Sequence, residues 1–306
     1  CGELLDKPAD VVLMNGFEDD FVPKGATFTG KRKRARSTML RVANCLLGED
    51  LGDDTLIIGT SGRYEFKNKG IDVFLESLNR LNRDKDLKKK VLAFVNVPSW
   101  VGDPREDLQK RLKSKDKFTE PLQCPFITHW LHNMTHDQVL DMLKYLGMGN
   151  RPEDKVKVIF VPCYQDGHDG ILNKHYYDLI LGEDLSVYPS YYEPWGYTPL
   201  ESVAFRVPTI TTDLAGFGLW VNSLKNQHGI NDGVEVLHRS DYNYSEVADG
   251  IKDTVALFST KTEAEIKEIR KRAGQVAEQA LWKHFIQYYY EAYDIALRNA
   301  MKRQLK

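Results

Sequence analysis

Two short segments concentrate the residues whose types and spacing can do chemistry. The first, PSYYEPWGYTPLE at 189–201, holds two carboxylates spaced E-x7-E, Glu193 and Glu201. Within it, Thr198-Pro199-Leu200-Glu201 reads as a capping box with proline at the first helical position, which predicts a helix starting at Thr198. A strand, a loop and then a helix N-terminus aim free amides at the loop, a natural place for an anion such as a diphosphate. The capping box alone accounts for Glu201. Glu193 precedes a proline among aromatics, where no cap explains it, and is the better functional candidate. The second segment, SGRYEFKNKG at 61–70, carries Arg63, Lys67 and Lys69. A guanidinium grips phosphate through paired N–H groups and an ammonium acts as a point charge. Taken alone, this segment reads as a solvated basic turn with Glu65 as its internal partner.

The elements that must position these loops are short Val- and Ile-rich runs at 55–61, 91–97, 156–162, 185–190, 208–212 and 233–238. A further buried strand is expected at 11–14. Helical patterns separate the runs, the clearest at about 71–81. Nearly continuous apolar strands alternating with helices imply a parallel sheet covered on both faces. The fold class is therefore α/β, a doubly wound Rossmann-like sheet, whose ligands bind outside the carboxyl ends of the strands. That rule points to the loops 61–70, 98–104, 162–172, 189–198 and 212–218. Residues 102–155 are expected to be a helical insertion, a hairpin of helices around 103–117 and 136–147. Residues 242–304 are expected to be almost wholly helical, ending in an aromatic face with Trp282, Phe285, Tyr288, Tyr289, Tyr290 and Tyr293.

The 306 residues are 42% hydrophobic and 28% charged, with a formal net charge of −2. This is the balance of a soluble globular chain, and it excludes a disordered, collagenous or coiled-coil protein. Near-neutrality excludes a global attraction to nucleic acid or an anionic membrane. No apolar run has the length of a membrane span. Cys1, Cys45, Cys124 and Cys163 are scattered and read as reduced thiols of a cytoplasmic protein. A chain opening on Cys rather than Met reads as a piece of a longer protein.

GRYEFKNKG, VLAFVNVPS, PSYYEPWGYTPLES and ITTDLAGFG together resemble the eukaryotic-type glycogen synthase family. The likeness runs from MNGFEDDFVP at 14–23 to the final helices. It implies the C-terminal, nucleotide-sugar-binding half of a GT-B fold over 1–306, with the N-terminal acceptor domain absent and the isolated half poorly active. It implies a retaining transfer of glucose from UDP-glucose to an α-1,4-glucan, without metal or other cofactor. Under it, Arg63 and Lys69 match the basic pair on the donor diphosphate, and Glu193 lies against the donor glucose as a catalytic residue. Glu201 binds ribose hydroxyls, Trp195, Gly196 and Thr198 line the glucose and phosphates, partly through backbone amides, and Tyr176 stacks on uracil with Tyr177 as its rival. UDP against ADP, and a homo-oligomer as a possible assembly, stay open. The alternatives are another GT-B glucosyltransferase, of the sucrose or trehalose-phosphate type, and a non-catalytic nucleotide-binding scaffold.

Other signals carry less. His129, His132 and His136 near Cys124 invite a zinc site, but their spacing matches no standard one. His168 in DGHDG reads as a plain turn, and GFG at 216–218 is no dinucleotide fingerprint. Arg270, Lys271 and Arg272 stand where the family carries an arginine-rich helix for glucose-6-phosphate control. A solvated helix face explains them equally well.

Overall fold

The computed structural model describes residues 6–225 and 227–304. Cys1 lies outside them. Six strands form one wholly parallel sheet in the order β5-β2-β1-β6-β7-β8. They are β1 Leu56–Ser61, β2 Val91–Asn96, β5 Val156–Val161, β6 Leu185–Val187, β7 Thr209–Thr212 and β8 Val234–Leu237. Each coincides, within a residue or three, with an apolar run of the sequence. The run at 11–14 does not: it is irregular, with Val12 exposed, because no strand pairs with it.

Period-two alternation divides the strands between two layers. Leu56, Ile58, Val91, Ala93, Val95, Val158 and Phe160 face α2 (Ile71–Asn82), α4 (Gln138–Tyr145) and α8 (Tyr244–Ser259). Ile57, Leu92, Phe94, Ile159 and Val161 face α1 (Gly25–Leu47) and α3 (Glu106–Lys113). Each fully buried Phe or Leu contributes about 1.5–3 kcal/mol, which is why both faces must be covered. A third apolar cluster joins α6 (Tyr197–Ala204), α7 (Gly216–Asn222), α9 (Glu263–Gln279) and the start of α10 (Trp282–Gln304). Helix α5 (Tyr176–Ile180) completes the set, beside a single 3-10 turn at Ile230–Asp232.

Helix α1 had no counterpart in the sequence reading. Its first half is rich in Lys and Arg, and only its second half is buried. The insertion is also not a helical hairpin. A two-stranded antiparallel ribbon, β3 Val101–Pro104 with β4 His129–Leu131, forms within it. Helices α3 and α4 pack on α1 and α2, on opposite faces of the sheet. In α10, Trp282 and Phe285 pack into the body while Tyr290, Tyr293, Leu297 and Met301 are exposed. No helix among the described residues is long and apolar enough to cross a membrane. Cys45, Cys124 and Cys163 are free thiols.

Candidate functional site

The site lies at the carboxyl edge of the sheet, where the loops after β1, β2, β5 and β6 meet. Residues 61–70 leave β1 and turn into α2 at Gly70, whose φ of +69° is left-handed. A Cβ there would strike the Pro189 carbonyl, so only glycine lets the two loops touch. The amide of Tyr191 donates to the Asn68 carbonyl at 2.7 Å and sews the loops together. The Pro189 carbonyl also accepts from buried Arg239. Loop 190–196 is held from the other side as well. Glu193 N–H donates to Leu214 at 3.2 Å, and Gly216 and Phe217 donate to the Glu193 and Trp195 carbonyls at 3.0 and 2.6 Å.

This stitching brings Lys69 and Glu193 together as an ion pair, both side chains largely covered. Arg63 stands apart from them. Its side chain is 76% exposed and pairs only with Glu65, at 3.1 Å. Arg63 instead borders a cavity of about 340 Å³, together with Asn96, Cys163, Gln165, Tyr176 and Thr198. Thus four of the five strand-end loops singled out by the sequence line or flank one hollow.

The capping box at Thr198 does not form. Helix α6 starts one residue earlier, at Tyr197, with Gly196 as its N-cap and no side-chain cap. Gly196 has a φ of +109°, a conformation that strains any residue with a Cβ. With Glu201 free of capping duty, its carboxylate accepts from the Tyr177 hydroxyl at 2.8 Å. Burial pushes the Glu201 carboxyl above its ordinary range, and the Tyr177 hydrogen bond partly offsets that. The first amides of α6 are left without intrahelical partners, as at any helix start. A capping box does form in α9, between Thr262 and Glu265.

The two tyrosines separate. Tyr177 stacks on Phe205, rings 5.2 Å apart and nearly parallel. Tyr176 borders the cavity, and its hydroxyl meets Ser61 at 3.0 Å. Ser61 also meets Tyr188, which bonds Ser202 at 2.8 Å. Burial raises the Tyr176 phenol well above its ordinary value, so it stays neutral. The Trp195 ring points away from the cavity. It is buried among Phe217, Trp220 and Phe285 and does not border the cavity. Its indole N–H has no partner among the described residues. Any contribution at position 195 must come from backbone.

Ser61, Asn96 and Gln165 escaped the sequence reading, although Gln165 donates to Asn96 at 2.9 Å across the cavity wall. A signal was there: Ser61 and Asn96 are the polar last residues of otherwise apolar strands.

The histidines do not converge. His132 stacks on Trp100, 4.9 Å away, while His129 is buried. His129, Cys163 and Asp169 place ligand-type atoms within 4.8 Å of one another. Each is otherwise engaged or protonated. The His129 ring bonds Thr128 at 2.9 Å and the Asp169 carbonyl at 2.7 Å. Asp169 accepts from the amides of Ile171, Leu172 and Asn173. Burial, reinforced by Asp169 and Asp166, pushes the Cys163 thiol up to about 12. Nor do Arg270, Lys271 and Arg272 form one face. Arg270 is buried and donates to the Glu183 carbonyl at 3.1 Å, whereas Arg272 is solvated and pairs with Asp232.

The family model for glycogen synthase matches residues 46–105 and 105–306. Glycogen (starch) synthase of Neurospora crassa is 28% identical over 359 aligned residues, covering 97% of this chain and 50% of its own length. The enzyme of Caenorhabditis elegans is 32% identical, covering 61% of this chain and 35% of its own. The chain spans about half the length of the first of these relatives. Among solved structures, WaaG, a glycosyltransferase involved in lipopolysaccharide biosynthesis, superposes with a TM-score of 0.50 at 14% identity, over 92% of this chain and 55% of its own. The N-terminal domain of Candida albicans trehalose-6-phosphate phosphatase gives 0.53 at 10% identity, over 93% and 49%. These two likenesses concern the fold alone.

Proposed function

The chain belongs to the glycogen synthase family, and from that premise we propose that it is the donor-binding half of an enzyme moving glucose from UDP-glucose to an α-1,4-glucan with retention. The observation that carries the reading is the Lys69–Glu193 pair at the carboxyl edge, beside a cavity bordered by Arg63, Tyr176 and Thr198. Departure of a nucleoside diphosphate builds charge on its outer phosphate. Arg63, Lys69 and the amides opening α6 neutralise that charge, usually the largest catalytic contribution in such sites. Lys69 is then shared between phosphate and Glu193, and binding the donor loosens its hold on the carboxylate. Glu193, so released, steadies positive charge on the glucose ring. It acts as a catalytic residue rather than a covalent nucleophile, and the leaving phosphate takes the acceptor proton on the same face.

Tyr176 stacks on the base, and Glu201, held by Tyr177, receives ribose hydroxyls. Gly196 and Thr198 contact phosphate and sugar, with Trp195 serving through its backbone. The reading assigns no metal or cofactor, because these residues supply the positive charge themselves. It places the protein in the cytoplasm, acting on glucan with a second domain and not on nucleic acid or membrane. Calorimetric titration with UDP, ADP and UDP-glucose tests it. Saturable uridine-nucleotide binding, weakened at least tenfold by Arg63→Ala and by Lys69→Ala, supports the reading. Equal binding by the variants defeats it.

A further inference from the structure

The β3–β4 ribbon presents an aromatic face that the donor reading does not use. Residues opposite each other in an antiparallel pair share a face, and faces alternate along each strand. With Val101 opposite Leu131, one face carries Val101 and Leu131, and the other carries Trp100, Gly102, Trp130 and His132. The first face packs on the core. On the second, Trp100 is 72% exposed and Trp130 is 36% exposed.

Both indoles are held from behind. The Trp100 ring lies against the His132 imidazole at 4.9 Å, and His132 N–H donates to the Trp100 carbonyl at 3.1 Å. Trp130 rests on the Arg105 guanidinium, 4.4 Å from its ring centre. Arg105 is itself fully buried, fixed by Asp107 and by the carbonyls of Cys124 and Ile127. A Cβ on Gly102 would come 3.2 Å from the Trp130 carbonyl, so glycine eases the close approach of the strands there, where the register shifts between Val101 and Pro104. Large rings fixed in place and left open to water are expensive unless something covers them.

The face also adjoins the donor cavity. Ser99 N–H donates to the Pro162 carbonyl at 2.9 Å, joining the loop after β2 to the loop after β5. Pro98 and Tyr164, on those two loops, both border the cavity. The exposed neighbour on the indole face is polar, His132, and among the described residues no exposed large aliphatic side chain lies on the ribbon. A flat ring with polar groups at its edge suits a pyranose, whose C–H face stacks while its hydroxyls bond at the rim. A protein partner calls for aliphatic surface as well.

We propose that this face is a glucan platform, with Trp100 and Trp130 each stacking a glucose unit of an α-1,4-glucan and holding the polymer near the donor cavity. The proposal rests on the glucan-synthase reading. Affinity electrophoresis through glycogen-containing gels and maltoheptaose titration followed by tryptophan fluorescence test it, with UDP titrated into the same samples. The chain is expected to be retarded by glycogen. Trp100→Ala should weaken glucan binding roughly three- to tenfold, the weight of one stacked aromatic contact, and leave UDP affinity unchanged. Trp130→Ala should do the same if Arg105 stays folded beneath it. Trp100→Ala decides the matter in any case, since its ring is mostly in solvent. No retardation of the parent chain, or equal retardation of Trp100→Ala, overturns the platform. Self-association that Trp100→Ala abolishes without changing glucan binding makes the face an interface between copies, and also overturns it. Loss of glucan binding with UDP binding intact spares the donor reading. Absence of UDP binding sinks that reading while the glucan result still stands.

Discussion

The two edges of the sheet both gather charge, and they use it in opposite ways. At the amino edge, Asp184 accepts from Arg32 at 2.5 Å, Arg36 at 2.6 Å and the Ile57 amide at 2.9 Å. Arg270 and Arg32 both donate to the Glu183 carbonyl. The Asp184 pairs tie α1 to the start of β6 and Arg270 ties α9 there, although Arg270 Nη2 has no partner among the described residues. At the carboxyl edge, Arg63 stands in solvent beside Glu65, α6 opens without a side-chain cap, and the most covered pair is Lys69 with Glu193. Size does not separate the edges in the expected direction. The hollow at the amino edge, about 1210 Å³, is far larger than the one beside Arg63. What marks the carboxyl edge is that four strand-end loops converge on its hollow, the place where a parallel α/β sheet takes its ligands.

The comparison breaks most easily at Asp184. Burial pushes its carboxyl up, but Arg36 and Arg32 together hold it below the ordinary carboxylate range. Asp184→Asn leaves two largely buried guanidinium groups without a counter-charge, and stability should fall by roughly 3–5 kcal/mol. Urea denaturation reads this, and an unchanged midpoint would mean that the amino edge is not structural. At the other edge the sign of the trade reverses. Under the proposed transfer reaction, Glu193→Gln or Lys69→Ala should reduce glucose transfer about 10²–10³-fold, the scale of one lost charge-stabilising contact. Their denaturation midpoints should fall less than that of Asp184→Asn, because one ion pair is lost rather than two. A variant that melts early but turns over normally would show that the pair is only a brace.

Glu183 sharpens the contrast through pH. It is buried against Gly59, with Ser186 on its Oε2 at 2.6 Å, and burial pushes its carboxyl up to about 8. The unfolded chain releases that proton near pH 4.3, the ordinary glutamate value (about 4.3). Between these two points the folded state holds a proton that the unfolded state has lost. Stability is therefore full below the ordinary range and falls as pH rises through about 8. Glu183→Gln removes this dependence. Its stability relative to the parent should climb from acid to mildly alkaline pH, by at most about 1.4 kcal/mol per unit. Parallel stability curves for the two proteins would place a charged Glu183 in the fold.

Sequence was a good guide wherever a pattern had one physical cause. Strand positions followed from β-branched runs, and the strand-end rule found the loops around the cavity, because a parallel sheet gathers the loops leaving its strands at one edge. It failed where two causes competed. Thr198 and Glu201 spell a capping box, but Gly196 lets the helix start a residue early and frees the glutamate for Tyr177. Trp195 lies in the functional string, yet the aromatic cluster of Phe217, Trp220 and Phe285 captures its ring. Helix α1 was illegible because its first half is basic and lacks an apolar stripe, and only tertiary structure supplies Asp184 for its arginines. Trp100 and Trp130 gave no periodic signal, since a ribbon of three or four residues per strand is too short to show one.

The smallest expected effect concerns Tyr177, where the site meets the core. Its ring is anchored on Phe205, and its hydroxyl is the one side-chain donor that the described structure gives to Glu201. Tyr177→Phe keeps the stacking and removes the donor. A hydrogen bond to a charged group contributes about 1.5–3 kcal/mol when partly buried, and less where a ligand hydroxyl can take its place. Free protein should lose a little stability. UDP affinity should fall only a few-fold, because ribose hydroxyls replace the phenol in orienting the carboxylate. Uracil alone, which lacks the ribose, should bind Tyr177→Phe and the parent equally well. Calorimetry with both ligands distinguishes this from a collapse of α5, which also carries Tyr176 and would weaken uracil and UDP together. That second pattern would assign Tyr177 to the core and leave Glu201 without a positioning partner.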